Sequence, residues 1–193
     1  MEYIRTFTEA YEYVETMPRE QAHREGRWHE VFHCWLMSRY RGDWYIYLQL
    51  RSPGKKDYPG LYDITAAGHI EAEESVDDGV REVQEELGVD VSYEDMKKVA
   101  LLDTWIGRDR EFAHEHMYEC PHSLTQFRLQ EEEVEDVDRV LWQDFKALWT
   151  NGVDRIPAAK AESLSRPDFV PHENNYYRRL IEALEQCCEE STT

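Results

Sequence analysis

The segment 75–88 carries the strongest structural pattern in the chain. Ser75, followed three residues later by Asp78, is typical of a capping box, and Gly88 is typical of a helix end. Between them the apolar residues recur at spacings of four, three and four, which places them on one stripe of a helix: Val76, Val80, Val83 and Leu87. The pattern predicts a helix over 76–87, and a stable fold has to bury its apolar stripe.

Three glutamates lie on this helix away from the apolar stripe. Glu82, Glu85 and Glu86 are related by i, i+3 and i+4, so their carboxylates share one face. Carboxylates this close repel one another unless a cation lies among them, and hard oxygen ligands suit Mg²⁺ or Mn²⁺. Arg81 can pair with Glu74 and fix the preceding loop, because its planar fork binds carboxylates bidentately. The alternative interpretation is a solvated acidic face, which is common in a chain with 41 acidic residues.

The formal net charge of -19 limits the partners of the chain. A surface this negative repels phosphate backbones and anionic lipid, so we expect neither duplex nucleic acid nor a membrane as partner. An anionic small-molecule substrate would need a metal ion or a local cluster of Arg and Lys. The four cysteines lack disulfide-type spacing, the N-terminus lacks a signal-peptide core, and no apolar run reaches membrane-spanning length. These features predict reduced thiols and a cytoplasmic location.

The remaining elements are predicted from residue type and turn signals. Strands are predicted at 28–37, 44–50, 61–67, 99–106 and 116–128, with a short helix at 8–16, a strand end and helix at 141–149, and a terminal helix at 174–188. This organisation predicts an N-terminal extension at 1–27, a central domain at 28–150, and a C-terminal loop and helix at 151–193 that pack on the domain.

The helix and the loop before it resemble the Nudix box. Five residues separate Gly68 from Glu74, and the run from Arg81 to Val89 matches the box completely. Two features depart from it: six residues rather than seven separate Glu74 from Arg81, and Glu73 stands where glycine is usual. Both departures affect the loop and the cap, not the acidic face.

Membership of this superfamily would imply a fold and a reaction. The expected fold is an α/β/α sandwich with a mixed β-sheet and a loop-helix-loop metal site. The expected reaction is metal-dependent hydrolysis of a diphosphate linkage, typically in a nucleoside diphosphate joined to another group. Glu85 and Glu86 would then be the main Mg²⁺ or Mn²⁺ ligands, and Glu82 a ligand or the residue that orients water. Gly68, Glu74 and Arg81 would support them.

A second resemblance points to the isopentenyl-diphosphate isomerase-like branch of the superfamily. It is carried by Trp28-His29, Arg51, Lys55, Pro59-Gly60 and the run 66–69. This branch implies that Arg51 and Lys55, with His69, contact a diphosphate substrate, although ordinary surface charges are an equal alternative for the two cations. The oligomeric state is open, and a homodimer is compatible with the resemblance.

The isomerase resemblance also implies a second metal site at His23, His29, His69 and Glu115. Structural or solvated histidines are the alternative. The position of the isomerase cysteine is Ala67, which cannot supply a proton, so hydrolysis is favoured over isomerisation. Glu115 then becomes a candidate general base in a loop after Ile106. An isoprenoid diphosphate isomerase and a non-catalytic binding domain remain the competing functions.

Overall fold

The computed structural model describes residues 1–121 and 123–190. Its elements are β1 (Tyr3–Phe7), β2 (Tyr13–Pro18), α1 (Arg19–Glu25), β3 (Trp28–Tyr40), β4 (Asp43–Arg51), β5 (Tyr62–Asp63), β6 (Ala66–His69), α2 (Arg81–Leu87), β7 (Lys97–Ile106), β8 (Asp109–Glu119), β9 (Val134–Leu141), α3 (Trp142–Thr150) and α4 (Tyr176–Glu190). Short 3-10 turns lie at Val76–Val80, Tyr93–Asp95 and Arg166–Asp168.

Strand β3 organises a mixed sheet. It pairs antiparallel with β4 and β6, and parallel with β8 from Trp28 to Met37. Strand β7 extends the sheet beyond β8, and β9 extends it beyond β4, both antiparallel. The mixed sheet that the Nudix resemblance implies is confirmed.

Alternate residues of β3 belong to two cores, one on each face of the sheet. Trp35 and Met37 pack with residues of α3 and α4, whereas Phe32 and Leu36 pack with residues of α2. Because both faces are covered by helices, the architecture is the predicted α/β/α sandwich.

The helix predicted at 76–87 divides into two parts. Residues Val76–Val80 form a 3-10 turn that begins with the predicted capping box at Ser75, and the α-helix starts only at Arg81. The turn packs so tightly on the sheet that a β-carbon on Gly79 would lie 2.5 Å from Phe32 Cγ. Gly88 ends α2 with a φ of 67°, as its position in the sequence predicts.

The N-terminal 27 residues are more ordered than the sequence suggests. The short helix predicted at 8–16 is wrong, because this stretch holds the turn between β1 and the start of β2. Strand β1 joins the sheet through the pair Thr6–His29 and bridges to Glu71 through Ile4. The helix α1 follows directly and ends at Gly26.

At the other end of the chain, α4 packs against β7 and α3. Residues 191–193 of the predicted C-terminal unit lie outside the described residues. The four cysteines are buried. Among the described residues, no helix combines the length and the apolar character that crossing a membrane requires.

Candidate active site

Arg81 closes the loop that precedes α2. Its Nε and Nη2 donate to the two carboxylate oxygens of Glu74, at 2.7 and 3.1 Å, and Nη2 also donates to the carbonyl of His69 at 3.2 Å. The same guanidinium donates through Nη1 to Glu82 and lies 3.5 Å from Glu85 Oε2. The predicted pair of Arg81 and Glu74 is therefore present, and Arg81 links the loop to the acidic face.

Two carboxylates of the acidic face are held close to the core. Glu86 is buried, and its Oε2 accepts hydrogen bonds from Gln49 Nε2 at 2.9 Å and from the Ala67 amide at 3.2 Å. Burial and the charge of Glu82 raise the pKa of Glu86 to about 8. Burial likewise raises the pKa of Glu82 to about 7, although Arg81 opposes the shift. Burial thus disfavours the charged form of both carboxylates, and a divalent cation between them would offset that cost.

The donor set of this face fits a hard divalent ion. Its ligands are carboxylate oxygens, which Mg²⁺ and Mn²⁺ prefer. Among the described residues, the ligand atoms of Glu82, Glu85 and Glu86 do not all lie within 4.8 Å of one another. The Glu85 side chain is 55% exposed, so its carboxylate can turn toward an ion without repacking the core.

Three histidines form a second cluster beside the first. His23 of α1, His29 of β3 and His69 of β6 have ligand atoms within 4.8 Å of one another, and the Nε2 atoms of His23 and His69 are 3.0 Å apart. Nε2 of His29 is buried without a hydrogen-bond partner. Burial lowers the pKa of His29 and lowers that of His69 well below its ordinary value. Both rings are therefore neutral and can offer a nitrogen lone pair to a metal ion. The structure brings together the three histidines of the predicted second metal site.

Two carboxylates that the sequence interpretation missed lie beside this cluster and share His29 with it. Asp109 Oδ1 lies 3.5 Å from His29 Nε2, and Glu111 joins both in a second group within 4.8 Å. Burial, followed by the charge of Asp109, raises the pKa of Glu111 to about 8. The signal was present in the sequence, because residues two apart at the start of a strand point to the same face.

Glu115 does not lie where the sequence interpretation put it. The predicted loop after Ile106 is only the turn into β8, and Glu115 lies in the middle of that strand with a side chain that is fully buried. Its carboxylate accepts hydrogen bonds from Trp35 Nε1 at 3.0 Å and from Tyr176 OH at 2.7 Å, and lies 3.0 Å from His33 Nδ1. The placement of Glu115 in a loop is wrong, since β8 begins earlier than the predicted strand at 116–128. Glu115 is also absent from the two described groups of possible ligands that contain the histidines.

The two predicted substrate cations are held by acidic partners. Arg51 donates from Nη1 to Asp63 Oδ2 at 3.0 Å, and its other nitrogens bind the carbonyls of Asp57 and Tyr58. Lys55 pairs with Glu133. The charge of Lys55 also opposes the rise in the pKa of Glu86.

Comparison with known proteins gives a consistent family assignment. The family model described as NUDIX domain matches residues 27–166. An uncharacterized Nudix hydrolase of Clostridium acetobutylicum is 30% identical over 199 residues, covering 95% of this chain and 97% of that protein. Isopentenyl-diphosphate Delta-isomerase of Salmonella paratyphi B is 27% identical over 126 residues, covering 63% of this chain and 65% of that protein.

A solved structure supports the fold independently. A crystal structure of a Deinococcus radiodurans protein superposes with a TM-score of 0.60 at 18% identity, covering 78% of this chain and 90% of that chain. At this identity the likeness concerns the fold alone.

Proposed function

The chain belongs to the Nudix hydrolase family, and on this premise we propose that it is a divalent-metal-dependent hydrolase of a diphosphate linkage in a small molecule. The nucleoside diphosphate joined to a second group is the substrate class that we favour. The observation that carries the proposal is the acidic face of α2, where Glu82 and Glu86 are held in partly or fully buried positions beside the clamp between Arg81 and Glu74.

Metal chemistry explains why a strongly acidic chain can act on an anionic substrate. A divalent ion bound by carboxylates neutralises phosphate charge and lowers the pKa of water. Glu85 and Glu86 supply the ligands, since Glu86 is fixed by Gln49 and Ala67 and Glu85 is free to turn inward. Glu82 lies against Gly68 and is either a further ligand or the group that orients water.

Positive charge on the substrate side is supplied by the chain itself. Lys55 lies in the loop after β4, where it pairs with Glu133, and its ammonium group is suited to binding a phosphate. Arg51 is already oriented by Asp63 and by two loop carbonyls. We propose that both cations bind the diphosphate, and that Arg51 also fixes the loop 57–58 through its hydrogen bonds.

We further propose that the histidine cluster is a second metal site. The set is His23, His29 and His69 with Asp109 and Glu111, in place of Glu115. Neutral imidazoles and carboxylates together suit Mn²⁺ or Zn²⁺. The buried, unpartnered Nε2 of His29 and the unpartnered Oδ1 of Asp109 support this proposal, because buried polar atoms are rarely left without a partner.

An isoprenoid diphosphate isomerase is the second candidate function. The observation that favours it is the histidine cluster together with the similarity to the Salmonella isomerase. Against it stands Ala67, which cannot donate a proton to an alkene.

One set of assays separates the two functions. Purified protein with Mg²⁺ or Mn²⁺ is offered dinucleotides, nucleotide sugars, nucleoside triphosphates and isopentenyl diphosphate. We expect release of phosphate or nucleotide, and loss of that release in Glu86→Gln. Rearrangement of isopentenyl diphosphate without release would support the isomerase instead, and tight binding without turnover would refute both.

A further inference from the structure

The side chain of Arg5 spans from the N-terminal hairpin to the loop of the acidic face. Arg5 lies in β1, outside the region matched by the family model. Its Nη1 donates to the carbonyl oxygens of Ala72 and Glu74, both at 2.8 Å. Glu74 is the residue whose carboxylate holds Arg81, so Arg5 is linked to the acidic face by a continuous chain of hydrogen bonds.

The other edge of the Arg5 fork is anchored as well. Nε and Nη2 donate to Glu30 Oε2 at 3.3 and 3.1 Å. Glu30 is buried, and its Oε1 accepts from Tyr11 OH at 2.5 Å and lies 2.9 Å from His114 Nε2. Both carboxylate oxygens of Glu30 are thus engaged, and the contacts with Oε2 hold the guanidinium with Nη1 directed at the loop.

Backbone contacts join the same two segments. The Ala72 amide donates to the carbonyl of Tyr3 at 2.8 Å, and Ile4 forms a bridge with Glu71. The Glu71 amide donates to Glu74 Oε2 at 2.9 Å. The loop 71–74 thus takes its shape from β1 on one side and from Arg81 on the other.

We propose that Arg5 is a positioning residue for the metal site of the acidic face. It fixes the backbone of Glu74, Glu74 fixes Arg81, and Arg81 sets the separation of Glu82 and Glu85. The N-terminal hairpin therefore supports the active centre from outside it. This inference rests on the proposed function, since it concerns a metal ion bound by the α2 carboxylates.

The test compares three substitutions. Arg5→Met removes the hydrogen bonds but keeps most of the apolar stem. Arg5→Met with Glu30→Gln also removes the carboxylate charge that the first variant deprives of its arginine partner. Arg39→Met is the matched control, because Arg39 is likewise paired with a glutamate, Glu119, but at the far end of β3.

Two measurements on the protein without substrate decide the outcome. Binding of Mn²⁺ is followed by electron paramagnetic resonance, and the acidic-face site is identified as the binding that Glu86→Gln removes. Hydrogen exchange reports the amides of residues 71–74 in metal-free protein. We expect both Arg5 variants to bind Mn²⁺ at this site at least roughly tenfold more weakly and to exchange these amides faster, with Arg39→Met unchanged.

The result that overturns the inference is normal Mn²⁺ affinity and normal exchange in both Arg5 variants. A lowered melting temperature with unchanged Mn²⁺ affinity also overturns it, because Arg5 would then be structural only. If Glu86→Gln removes no Mn²⁺ binding, the proposed function fails, and the positioning role toward that site fails with it. If Glu86→Gln removes Mn²⁺ binding but the Arg5 variants keep normal affinity and normal exchange, only the positioning role of Arg5 is refuted. The two failures are therefore distinguishable.

Discussion

The α-carbon of Gly68 lies against the carboxyl group of Glu82. A β-carbon built on Gly68 would be 2.1 Å from both Cδ and Oε1 of Glu82 and 2.7 Å from Cγ. Non-bonded carbon atoms need about 3.5 Å, so only glycine lets the side chain of Glu82 pack on the backbone of β6. The position of one carboxylate of the acidic face therefore depends on a residue that contributes no side chain.

Replacing Gly68 by alanine should displace Glu82 while the fold persists. The φ of Gly68 is not in the left-handed region, so the backbone accepts alanine and the strain falls on Glu82. We expect the Mn²⁺ affinity and the rate of hydrolysis to fall roughly tenfold or more. This is the loss typical when a residue that orients a metal ligand is removed. Gly54→Ala is the control, because its β-carbon would meet only Ser52 Oγ at an ordinary 3.6 Å. Equal activity in the two variants would contradict the packing argument.

Glu86→Gln should separate metal binding from folding. The amide keeps an oxygen for the hydrogen bonds from Gln49 and Ala67 but loses the charge that a metal requires. We expect hydrolysis to fall about a hundredfold. The metal-free variant should melt at the same temperature as the parent protein or higher, because burying a carboxylate is costly. Calorimetric melting in the presence of a chelator measures this, and a large loss of stability would show that Glu86 is structural.

The acidic face could be predicted from the sequence because its information is local. Glu82, Glu85 and Glu86 are separated by three and four residues on one short helix, so their common face follows from helix geometry alone. Gly68 and Glu74 lie within 20 residues of that helix, in the same supersecondary unit. The mixed sheet was likewise expected from the family resemblance and is present.

The N-terminal hairpin could not be predicted because its strands are specified by distant contacts. β2 is mostly exposed and shows little apolar alternation, and β1 is fixed through Thr6–His29 and Ile4–Glu71. Pairing over such separations outweighs local strand propensity. The sequence around Arg5 therefore does not indicate the contact of Arg5 with Ala72 and Glu74.

The prediction of Glu115, rather than Glu111, for the second metal site has a similar cause. Glu111 and Glu115 are an even number of residues apart in β8, so their side chains face the same side of the strand. The sequence alone therefore does not say which of them is open to the histidines. The distinction depends on Tyr176, which approaches from α4 and buries Glu115. Only the three-dimensional arrangement of β8 and α4 resolves it.

Glu111→Gln and Glu115→Gln should affect different properties. Glu111 borders the histidine cluster, so its variant should bind Mn²⁺ or Zn²⁺ more weakly at that site, by roughly tenfold, with little change in melting temperature. Glu115 is buried among Trp35, His33 and Tyr176, so its variant should lose about 2 kcal/mol of stability and retain metal binding. Urea unfolding and metal titration on both proteins measure the contrast, and the reverse pattern would restore Glu115 as the ligand.

Asp63 should make the stability of the protein sensitive to acid. Its Oδ1 lies 3.0 Å from His172 Nε2, and its Oδ2 accepts from Arg51 at 3.0 Å. Burial alone would raise the pKa of Asp63, but the hydrogen bond and charge of His172, with the charge of Arg51, lower it to about 2. The pKa in the folded state is thus below the ordinary value of about 3.9, so the stabilisation is present above that value and is lost as the pH falls toward 2.

Asp63→Asn should flatten this acid dependence. A depression of the Asp63 pKa by nearly two units corresponds to about 2 kcal/mol, so the parent protein should lose about that much more unfolding free energy than the variant between pH 5 and about pH 2. Asp43→Asn, at the exposed first residue of β4, is the control and should follow the parent curve. Urea unfolding at a series of pH values gives the free energies. Parallel curves for Asp63→Asn and the parent would mean that the contacts with Arg51 and His172 do not stabilise the Asp63 carboxylate, and the orientation of Arg51 by Asp63 would then lose its electrostatic basis.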